Sequence, residues 1–180
     1  MNFQEGEVLL VDKPYGWTSF DVVNKIRWNL KQALKVKKIK VGHAGTLDPL
    51  ATGVLVVCTG KATKRIEKLQ SQDKSYTATI RLGAHTPCLD AELPVDKWVD
   101  ADHLQRQAIE EAVAAMRGVV QQLPPLYSAK KVNGQKAYAV ARKGGEIELK
   151  RASIEIKKIE ICAIRHLEVD GHSVVDVEVN

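Results

Sequence analysis

Cysteine is scarce in this sequence, and its spacing argues against two kinds of site. The 180 residues contain three cysteines, Cys58, Cys88 and Cys162, an odd number without a CxxC pair. Disulfide frameworks and structural zinc sites need paired or closely spaced cysteines. The five histidines show no ligand pairing either. We therefore expect neither a disulfide framework nor a bound metal.

Long apolar runs are missing as well. The N-terminus lacks the basic and apolar segments of a secretory leader, and no run approaches the ~18 residues of a membrane span. With 44% hydrophobic residues, the chain is long enough for one compact domain with its own core. We expect a cytoplasmic protein without a membrane partner. Its oligomeric state is left open by the sequence, with a monomer favoured.

Acidic residues are absent between Asp21 and Glu67 except for Asp48. Seven basic residues and no acid lie between Val22 and Leu47. Such a stretch suits a polyphosphate partner such as RNA. An isolated lysine run is also typical of a solvated surface, so this pattern alone does not choose between the two.

Charge alternates along the whole chain. The net formal charge is +7 over residues 1–89, −4 over 90–123, +5 over 124–151 and −3 over 152–180. From Pro124 to Arg151 the composition changes to proline, glycine, tyrosine and basic residues, around a short helical piece at about 136–143. We interpret this segment as a basic excursion from the core.

The hydrophobic pattern predicts short strands, turns and two main helices. Strands are predicted over 8–11, 54–58, 76–82, 153–165 and 167–179, with a hairpin turn at Asp170–Gly171. Helices are predicted from Thr18 or Ser19 to about 34, over 62–69, and over 103–117 with Asp102 as cap and Gly118 as stop. These elements indicate an α+β domain with a largely antiparallel central sheet and flanking helices.

The lone acid Asp48 lies in the glycine-rich run GHAGTLDPLATG, from Gly42 to Gly53. Glycine permits unusual backbone angles, and Pro49 biases Asp48 towards an extended conformation. A loop aspartate is often only a turn former or a helix cap. A phosphate loop of the Walker type is excluded by spacing, since six residues separate Gly53 from Gly60 and Ala62 follows Lys61.

A glycosidase-like site is a further interpretation of this loop. It needs two carboxylates, and the acids nearest to Asp48 in sequence are Asp21 and Glu67. Folding can bring a distant carboxylate closer, so the sequence weakens this interpretation without excluding it.

The run GHAGTLDPLATG resembles the signature of the TruB family of tRNA pseudouridine synthases. The resemblance extends to VLLVDKPYGWTSFD near the N-terminus, which is similar to the family's LLLDKPxGxxS opening. Downstream it includes the segments 60–64, 74–76, 82–90 and 125–130. The similarity therefore covers nearly all of the chain.

This resemblance implies a pseudouridine synthase fold and an isomerase that acts on uridine 55 in the T-loop of tRNA. Asp48 would be the nucleophile, attacking at either C1′ or C6, without metal or cofactor. His43 would hold unstacked nucleotides, and Tyr76 would stack on the target base. The segment 124–151 would be a thumb that closes over the T-stem and loop. Further RNA contacts are expected at Lys61, Lys64, Asp90 and Lys130.

On sequence alone, Tyr76 is more typical of a strand in the core, and His43 of a hydrogen-bonded loop histidine. The chain also departs from the family pattern where TxTxDxxG is replaced by residues Thr86 to Leu93. The family's segment with an arginine partner for the nucleophile is expected after Asn180. We therefore expect 1–180 to be a truncated catalytic domain without a C-terminal RNA-binding domain, weakly active or inactive by itself.

Two other functions remain as alternatives. A non-catalytic RNA-binding protein or RNA chaperone would keep the fold and the basic surface without the reaction. A nucleotide-binding enzyme would use the glycine loop for phosphate and would bind free nucleotides tightly.

Overall fold

The computed structural model describes residues 1–123, 131–132, 135–136 and 150–180. Contacts divide the chain into two compact units, Met1–Lys74 and Ser75–Asn180. Every strand pair recorded for the described residues is antiparallel. The predicted α+β class with antiparallel pairing is confirmed.

The first unit is a three-stranded sheet with one long helix and a short helical segment. Its elements are β1 (Val8–Lys13), α1 (Ser19–Ala33), β2 (Val41–His43), β3 (Gly53–Thr59), a 3₁₀ helix (Gly60–Arg65) and α2 (Ile66–Gln70). The strand order is β1-β3-β2. Lys13 pairs with Gly53 and His43 with Val57, so both ends of the segment 44–52 are fixed by this sheet.

Helix α1 begins where the sequence predicts it. Thr18 is the N-cap: its hydroxyl accepts from the Asp21 N–H, and the Asp21 carboxylate accepts from the Thr18 N–H in return. This reciprocal capping box satisfies two backbone donors that the helix leaves unpaired. The hydrogen bonds from Thr18 lower the pKa of Asp21 below its ordinary value.

The core of the first unit lies between α1 and the sheet. It consists of apolar residues at helical spacing on α1 and alternating residues on the strands: Val22, Val23, Leu30, Val41, Leu55 and Val57. Leu47, next to Asp48, packs against this cluster. The loop that carries Asp48 is therefore attached to the core by an apolar side chain.

The second unit contains a three-stranded sheet and several two-stranded pairs. Its elements are β4 (Ala78–Leu82), β5 (Ala84–His85), β6 (Lys97–Trp98), α3 (Arg106–Ala115), β7 (Gly118–Gln122), β8 (Lys131–Val132), β9 (Gln135–Lys136), β10 (Ala152–Ile156), β11 (Ile161–Val169) and β12 (His172–Val179). Strand β12 lies between β11 and β4, β7 pairs with β10, β5 with β6, and β8 with β9.

One face of β12 forms the core of the second unit together with α3. The buried residues are Ala101, Ile109, Val113, Val175, Val177 and Val179. The opposite face of β12 carries an ion pair, in which Arg81 on β4 binds both carboxylate oxygens of Asp176 at 2.8 Å. The Asp176 side chain is only 10% exposed, and its hydrogen bonds to Arg81 hold its pKa below the ordinary value.

The predicted strands β1 and β3, helix α1 and the hairpin turn at Asp170–Gly171 are confirmed. Asp170 and Gly171 have φ values of 53° and 76°, as a two-residue hairpin turn of type I′ requires. The segment predicted as a helix at 62–69 is split between the 3₁₀ helix and α2. The strand predicted from Tyr76 begins at Ala78.

Three predictions of element boundaries are wrong. The strand predicted over 167–179 is divided, because β11 ends at Val169 and β12 begins at His172. Residues 153–165 do not form one strand, because β10 pairs with β7 whereas β11 pairs with β12. Helix α3 begins at Arg106 after Gln105 and is not capped by Asp102. The Asp102 carboxylate instead accepts the hydroxyl of Ser173 at the start of β12.

Most of the predicted thumb, 124–151, lies outside the described residues. Within it, Lys131–Val132 and Gln135–Lys136 pair with each other, so Lys136 is in a strand. The rest of the helical piece predicted at 136–143 is outside the described residues. In the part of the chain that the structure describes, no helix has the length and apolar character of a membrane span.

We predict that Asp176→Asn destabilises the protein at neutral pH by about 1–2 kcal/mol, because it removes a charged bidentate partner from Arg81. The effect is moderated by solvent, since the Arg81 side chain is 42% exposed. The pKa of Asp176 is lower in the folded protein than in the unfolded chain, where it is about 4. The stabilisation is therefore present above about pH 4 and is lost as the pH falls through the pKa of the folded protein. Urea unfolding of the unchanged protein and of Asp176→Asn, near neutral pH and at about pH 3, measures this difference in the free energy of unfolding.

Glu178→Gln is the matched control on the same strand. Glu178 pairs with Arg165 at 2.9 Å, but both side chains are more exposed, so its loss is expected to cost less than about 0.5 kcal/mol. Equal destabilisation by the two variants, or an Asp176→Asn effect that persists unchanged at low pH, contradicts the prediction.

Candidate active site

Asp48 lies at the exposed tip of the segment that joins β2 to β3. The Ala44 N–H donates to the Val56 carbonyl at 2.8 Å and continues the strand ladder into this loop. Gly45 and Gly53, near its two ends, have φ values of 101° and 112°. A side chain at either position would strain the backbone, which explains why the loop is glycine-rich.

A tight turn begins at Asp48. The Asp48 carbonyl accepts from the Ala51 N–H at 3.0 Å, which closes a four-residue turn over 48–51. Proline fits its second position because the ring presets the required φ angle. The aspartate therefore occupies the first position of a turn with a fixed backbone.

The residue before Asp48 is held by the start of α1. The hydroxyl of Ser19 lies 2.9 Å from both the N–H and the carbonyl oxygen of Leu47. Ser19 is 3% exposed, so these bonds are shielded from water. Both backbone groups of Leu47 are thus satisfied by one side chain.

The residue after Asp48 is held by a buried lysine. The Nζ of Lys13 donates to the carbonyl oxygens of Pro14, Trp17 and Pro49 at 3.0, 2.6 and 3.3 Å. Lys13 is completely buried, and its three N–H donors have three acceptors. The Gly16 N–H also donates to the Pro49 carbonyl at 2.9 Å. The loop that follows β1 and the loop of Asp48 are therefore tied to the same ammonium group.

The side chain of Asp48 has a different environment from its backbone. Among the described residues, no hydrogen bond or ion pair involves its carboxylate. A competing nucleophile, Cys58, is completely buried in β3, and burial raises the pKa of its thiol. Of these two groups, only the carboxylate of Asp48 is exposed to solvent.

His43 is at the end of β2, at the entrance to the same loop. Its Nδ1 lies 2.5 Å from the Gly45 carbonyl oxygen. A carbonyl oxygen only accepts, so Nδ1 carries the proton and Nε2 remains available to a ligand. His43 is therefore the hydrogen-bonded loop histidine expected from the sequence, and its Nε2 can still contact a nucleotide.

The expected RNA contacts Lys61 and Lys64 line a basic cavity of about 250 Å³ in the first unit. Lys38 and Lys40 line it as well. Lys61 forms an exposed ion pair with Glu5 at 2.6 Å, whereas no acidic partner of Lys64 is recorded within the described part of the chain. Four lysines around one cavity favour an anionic ligand such as phosphate.

The remaining expected site residues do not belong to the first unit. Tyr76, in the second unit, is 57% exposed, so it is not the core residue that its strand pattern suggests. Asp90 is exposed, and its carboxylate accepts from the Glu92 N–H at 2.9 Å, which fixes a local turn. Lys130 lies outside the described residues. The roles of Asp48, His43, Tyr76 and these contacts stay predictions.

Two alternatives from the sequence lose support in this geometry. Asp21 is occupied by the helix cap, and its lowered pKa opposes the general-acid role that a glycosidase needs. A phosphate loop leads into a helix, whereas the Asp48 loop leads into β3. Within 1–123 and 150–180, no cluster of three or more histidine, cysteine or acidic side chains is positioned to hold a metal ion.

The fold is similar to that of a chain in a solved structure. That structure is titled "Structure of H/ACA RNP bound to a substrate RNA containing 2′-deoxyuridine", and the match has a TM-score of 0.51 at 26% identity. It covers 98% of this chain and 38% of the other. The chain in hand thus spans less than half the length of that protein.

Sequence comparisons define the class of protein. The family described as TruB family pseudouridylate synthase (N terminal domain) matches residues 31–179, which include the whole Asp48 loop. The fold is therefore that of the pseudouridine synthases.

The "tRNA pseudouridine synthase B" of Phocaeicola vulgatus is 56% identical over 171 residues, 94% of this chain and 73% of that protein. The protein of the same name from Parabacteroides distasonis is 53% identical over 161 residues, 89% of this chain and 68% of that protein. The chain belongs to the TruB family of pseudouridylate synthases, as its resemblance predicted.

The sequence did not identify Lys13 and Ser19 as parts of the site. Lys13 is within the family-like opening VLLVDKPYGWTSFD, and the sequence predicts Ser19 only as a helix cap. Lys38 and Lys40 belong to the basic run between Val22 and Leu47. A signal existed for Lys13, because a lysine at the end of an apolar strand and before a proline is an unusual choice for a buried position.

We predict that Ser19→Ala loosens the Asp48 loop. It leaves both backbone groups of Leu47 without their partner, at a cost of about 1–3 kcal/mol. Amide hydrogen exchange at Leu47 should become faster, and chemical denaturation should show the loss of stability.

Ser71→Ala is the control, since the Ser71 hydroxyl donates to the Lys68 carbonyl at 3.0 Å on an exposed surface. Its effect should stay within about 0.5 kcal/mol. If both variants have the same stability and Leu47 exchanges as in the unchanged protein, the hydroxyl of Ser19 does not hold the loop.

Proposed function

We propose that the protein is an enzyme that isomerises uridine to pseudouridine in tRNA, with Asp48 as the nucleophile. The observation that carries this proposal is the difference between the backbone and the side chain at Asp48. Its neighbours Leu47 and Pro49 are fixed by Ser19 and Lys13, while its carboxylate is exposed. A nucleophile must have a fixed position and an open approach.

The reaction is balanced without a further reactant. The bond between N1 of uracil and C1′ of ribose breaks, the base turns, and C5 bonds to C1′. The proton of C5 is lost and N1 gains one, so substrate and product are isomers. The carboxylate of Asp48 stabilises the intermediate covalently and is released unchanged. This chemistry requires neither a redox cofactor nor a metal.

The target base has to leave its stack before a protein carboxylate can reach it. Extruding a base costs about a few kcal/mol, which contacts to the bound RNA have to offset. We propose that His43 holds neighbouring nucleotides through its free Nε2 and that Tyr76 stacks on the target base. Support comes from the Nε2 of His43, for which the described residues provide no hydrogen-bond partner, and from the 57% exposure of Tyr76.

The proposed substrate is the T-stem and loop of tRNA, with uridine 55 as the target. The relatives carry the name "tRNA pseudouridine synthase B", which supports tRNA as the class of RNA. We propose that the basic segment 124–151, with a net charge of +5, closes over this RNA. Asp90 and Lys130 remain proposed contacts.

We also propose that the protein acts as a monomer. Lys13 and Ser19 already satisfy the backbone on both sides of Asp48, so this part of the loop does not depend on a contact from a second copy. Sedimentation of the protein with and without RNA tests this point, and a dimer at working concentrations overturns it.

The basic cavity of the first unit, which we call the lysine cavity, provides the proposed contact to the RNA backbone. Lys38, Lys40, Lys61 and Lys64 line one cavity, and a phosphate bound there would release condensed counterions from the RNA. Because Lys61 is paired with Glu5, we expect Lys38 and Lys64 to contribute more than Lys61 does.

We predict that, in the protein extended past Asn180, Asp48→Asn lowers the rate of pseudouridine formation in T-arm RNA by a factor of about 10³ or more, since the amide is not a nucleophile. Its affinity for the RNA should remain within about threefold of the unchanged protein. Pseudouridine is mapped by chemical labelling and affinity is measured by filter binding. Asp12→Asn, an exposed aspartate of the same unit, should keep its activity.

The outcomes of that experiment separate the functions. Activity of Asp48→Asn equal to that of Asp12→Asn removes Asp48 from the reaction. In the protein extended past Asn180, RNA binding without isomerisation by any variant supports a non-catalytic RNA-binding protein instead; for residues 1–180 alone, weak or no activity is the expected result. Modification at a position outside the T-loop overturns the proposed substrate.

We predict that Lys64→Gln and Lys38→Gln weaken binding to T-arm RNA and reduce the dependence of log affinity on log salt concentration by about 1 each. The control is Lys68→Gln, which removes an exposed lysine from α2, outside the residues that line the cavity. Equal salt slopes for all three variants contradict a phosphate site in this cavity.

A further inference from the structure

Helix α1 exposes two aromatic side chains outside its buried face. Val22, Val23 and Leu30 are buried against the sheet, whereas Phe20 and Trp28 are 58% and 59% exposed. At about 100° per residue, Trp28 lies opposite this buried set, and Phe20 lies on its flank, about 80° from Trp28 around the helix. Two large exposed aromatics on one side of a helix are typical of a binding surface.

Cations lie over both rings. Lys25 Nζ is 5.6 Å from the centroid of the Trp28 ring, and Arg27 Cζ is 5.9 Å from that of Phe20. Arg27 is held in place by the Asn24 side chain at 2.7 Å and the Val41 carbonyl at 2.9 Å. The helix face thus combines flat rings with positive charge. We call Phe20, Lys25, Arg27 and Trp28 the α1 surface.

A groove lies at the edge of the α1 surface. It has a volume of about 450 Å³ and is lined by Gly16, Trp17, Asp21, Asn24 and Lys25. The groove begins close to the Asp48 loop, since the Gly16 N–H donates to the Pro49 carbonyl. A strand of RNA that leaves the Asp48 loop can therefore continue along α1.

We propose that the α1 surface binds unpaired nucleotides of the RNA, outside the nucleotides that surround the target uridine. Single-stranded RNA is bound by aromatic rings that stack on bases and by cations that contact phosphates. The charge of the surface favours this occupant, because its two cations, Lys25 and Arg27, outnumber the one acid of the adjoining groove, Asp21. The proposal assumes an RNA partner, as the proposed function does, but needs no reaction at Asp48.

Fluorescence of Trp28 reports directly on stacking. In a protein with Trp17→Phe and Trp98→Phe, Trp28 is the remaining tryptophan. Titration with a single-stranded RNA of about ten nucleotides should quench its emission, because each base of such a strand has an exposed face. The same sequence in a fully paired duplex should quench it much less.

Binding measurements with the otherwise unchanged protein complete the test. Phe20→Ala and Trp28→Ala should each raise the Kd for the single strand about tenfold. Leu10→Ala, which truncates a residue that is 74% exposed on β1, should leave it unchanged. Circular dichroism checks that α1 is retained in each variant.

The proposal is overturned if the single strand fails to quench Trp28, if the duplex quenches it equally, or if Leu10→Ala weakens binding as much as Trp28→Ala. The proposal is also overturned if a protein from the RNA-modification machinery quenches the fluorescence of Trp28 and RNA does not. In that case the surface binds protein. The Asp48→Asn variant keeps the two proposals apart. Quenching in that variant supports the α1 surface even if neither it nor the unchanged protein forms pseudouridine.

Discussion

The buried ammonium of Lys13 is the constraint on which the first unit depends. A charged group without partners is very costly to bury, and in the described part of the chain Lys13 has no acidic partner among its hydrogen bonds. It is compensated by three carbonyl oxygens, two from the loop after β1 and one from Pro49. Moving either loop would leave a donor unpaired in a buried site. The two loops are therefore fixed to each other through one atom.

The start of α1 adds a second fixed point through adjacent residues. Thr18 and Asp21 close the capping box, and Ser19 binds both backbone groups of Leu47. The residues on either side of Asp48 are thus anchored to different elements, one to a helix and one to a strand. Because neither anchor uses the side chain of Asp48, the carboxylate keeps its full hydrogen-bonding capacity for a ligand.

Local signals in the sequence predicted the elements that frame this site. The apolar runs indicated β1 and β3, and helical spacing with Thr18 indicated α1, because each depends on neighbouring residues. The contacts of Lys13 to Pro49 and of Ser19 to Leu47 span 36 and 28 residues, and no local pattern encodes them. The same limit explains the wrong prediction of a single strand over 153–165. Apolar and polar residues keep alternating there, although the pairing partner changes from β7 to β12. Asp102 has the chemistry of a cap, but Ser173 is its partner in the fold.

The exposure of Asp48 has a consequence for catalysis. A carboxylate in water is stabilised by hydration, and its attack on a sugar or a base requires that this hydration be removed. The loop itself leaves Asp48 exposed, and in the proposed reaction the bound RNA excludes water when the target base covers this carboxylate. Since the backbone around Asp48 is already fixed, little reorganisation remains at that moment. In this proposal, contacts far from Asp48, such as those expected at the lysine cavity, raise the reaction rate by holding the RNA in the position that dehydrates the carboxylate.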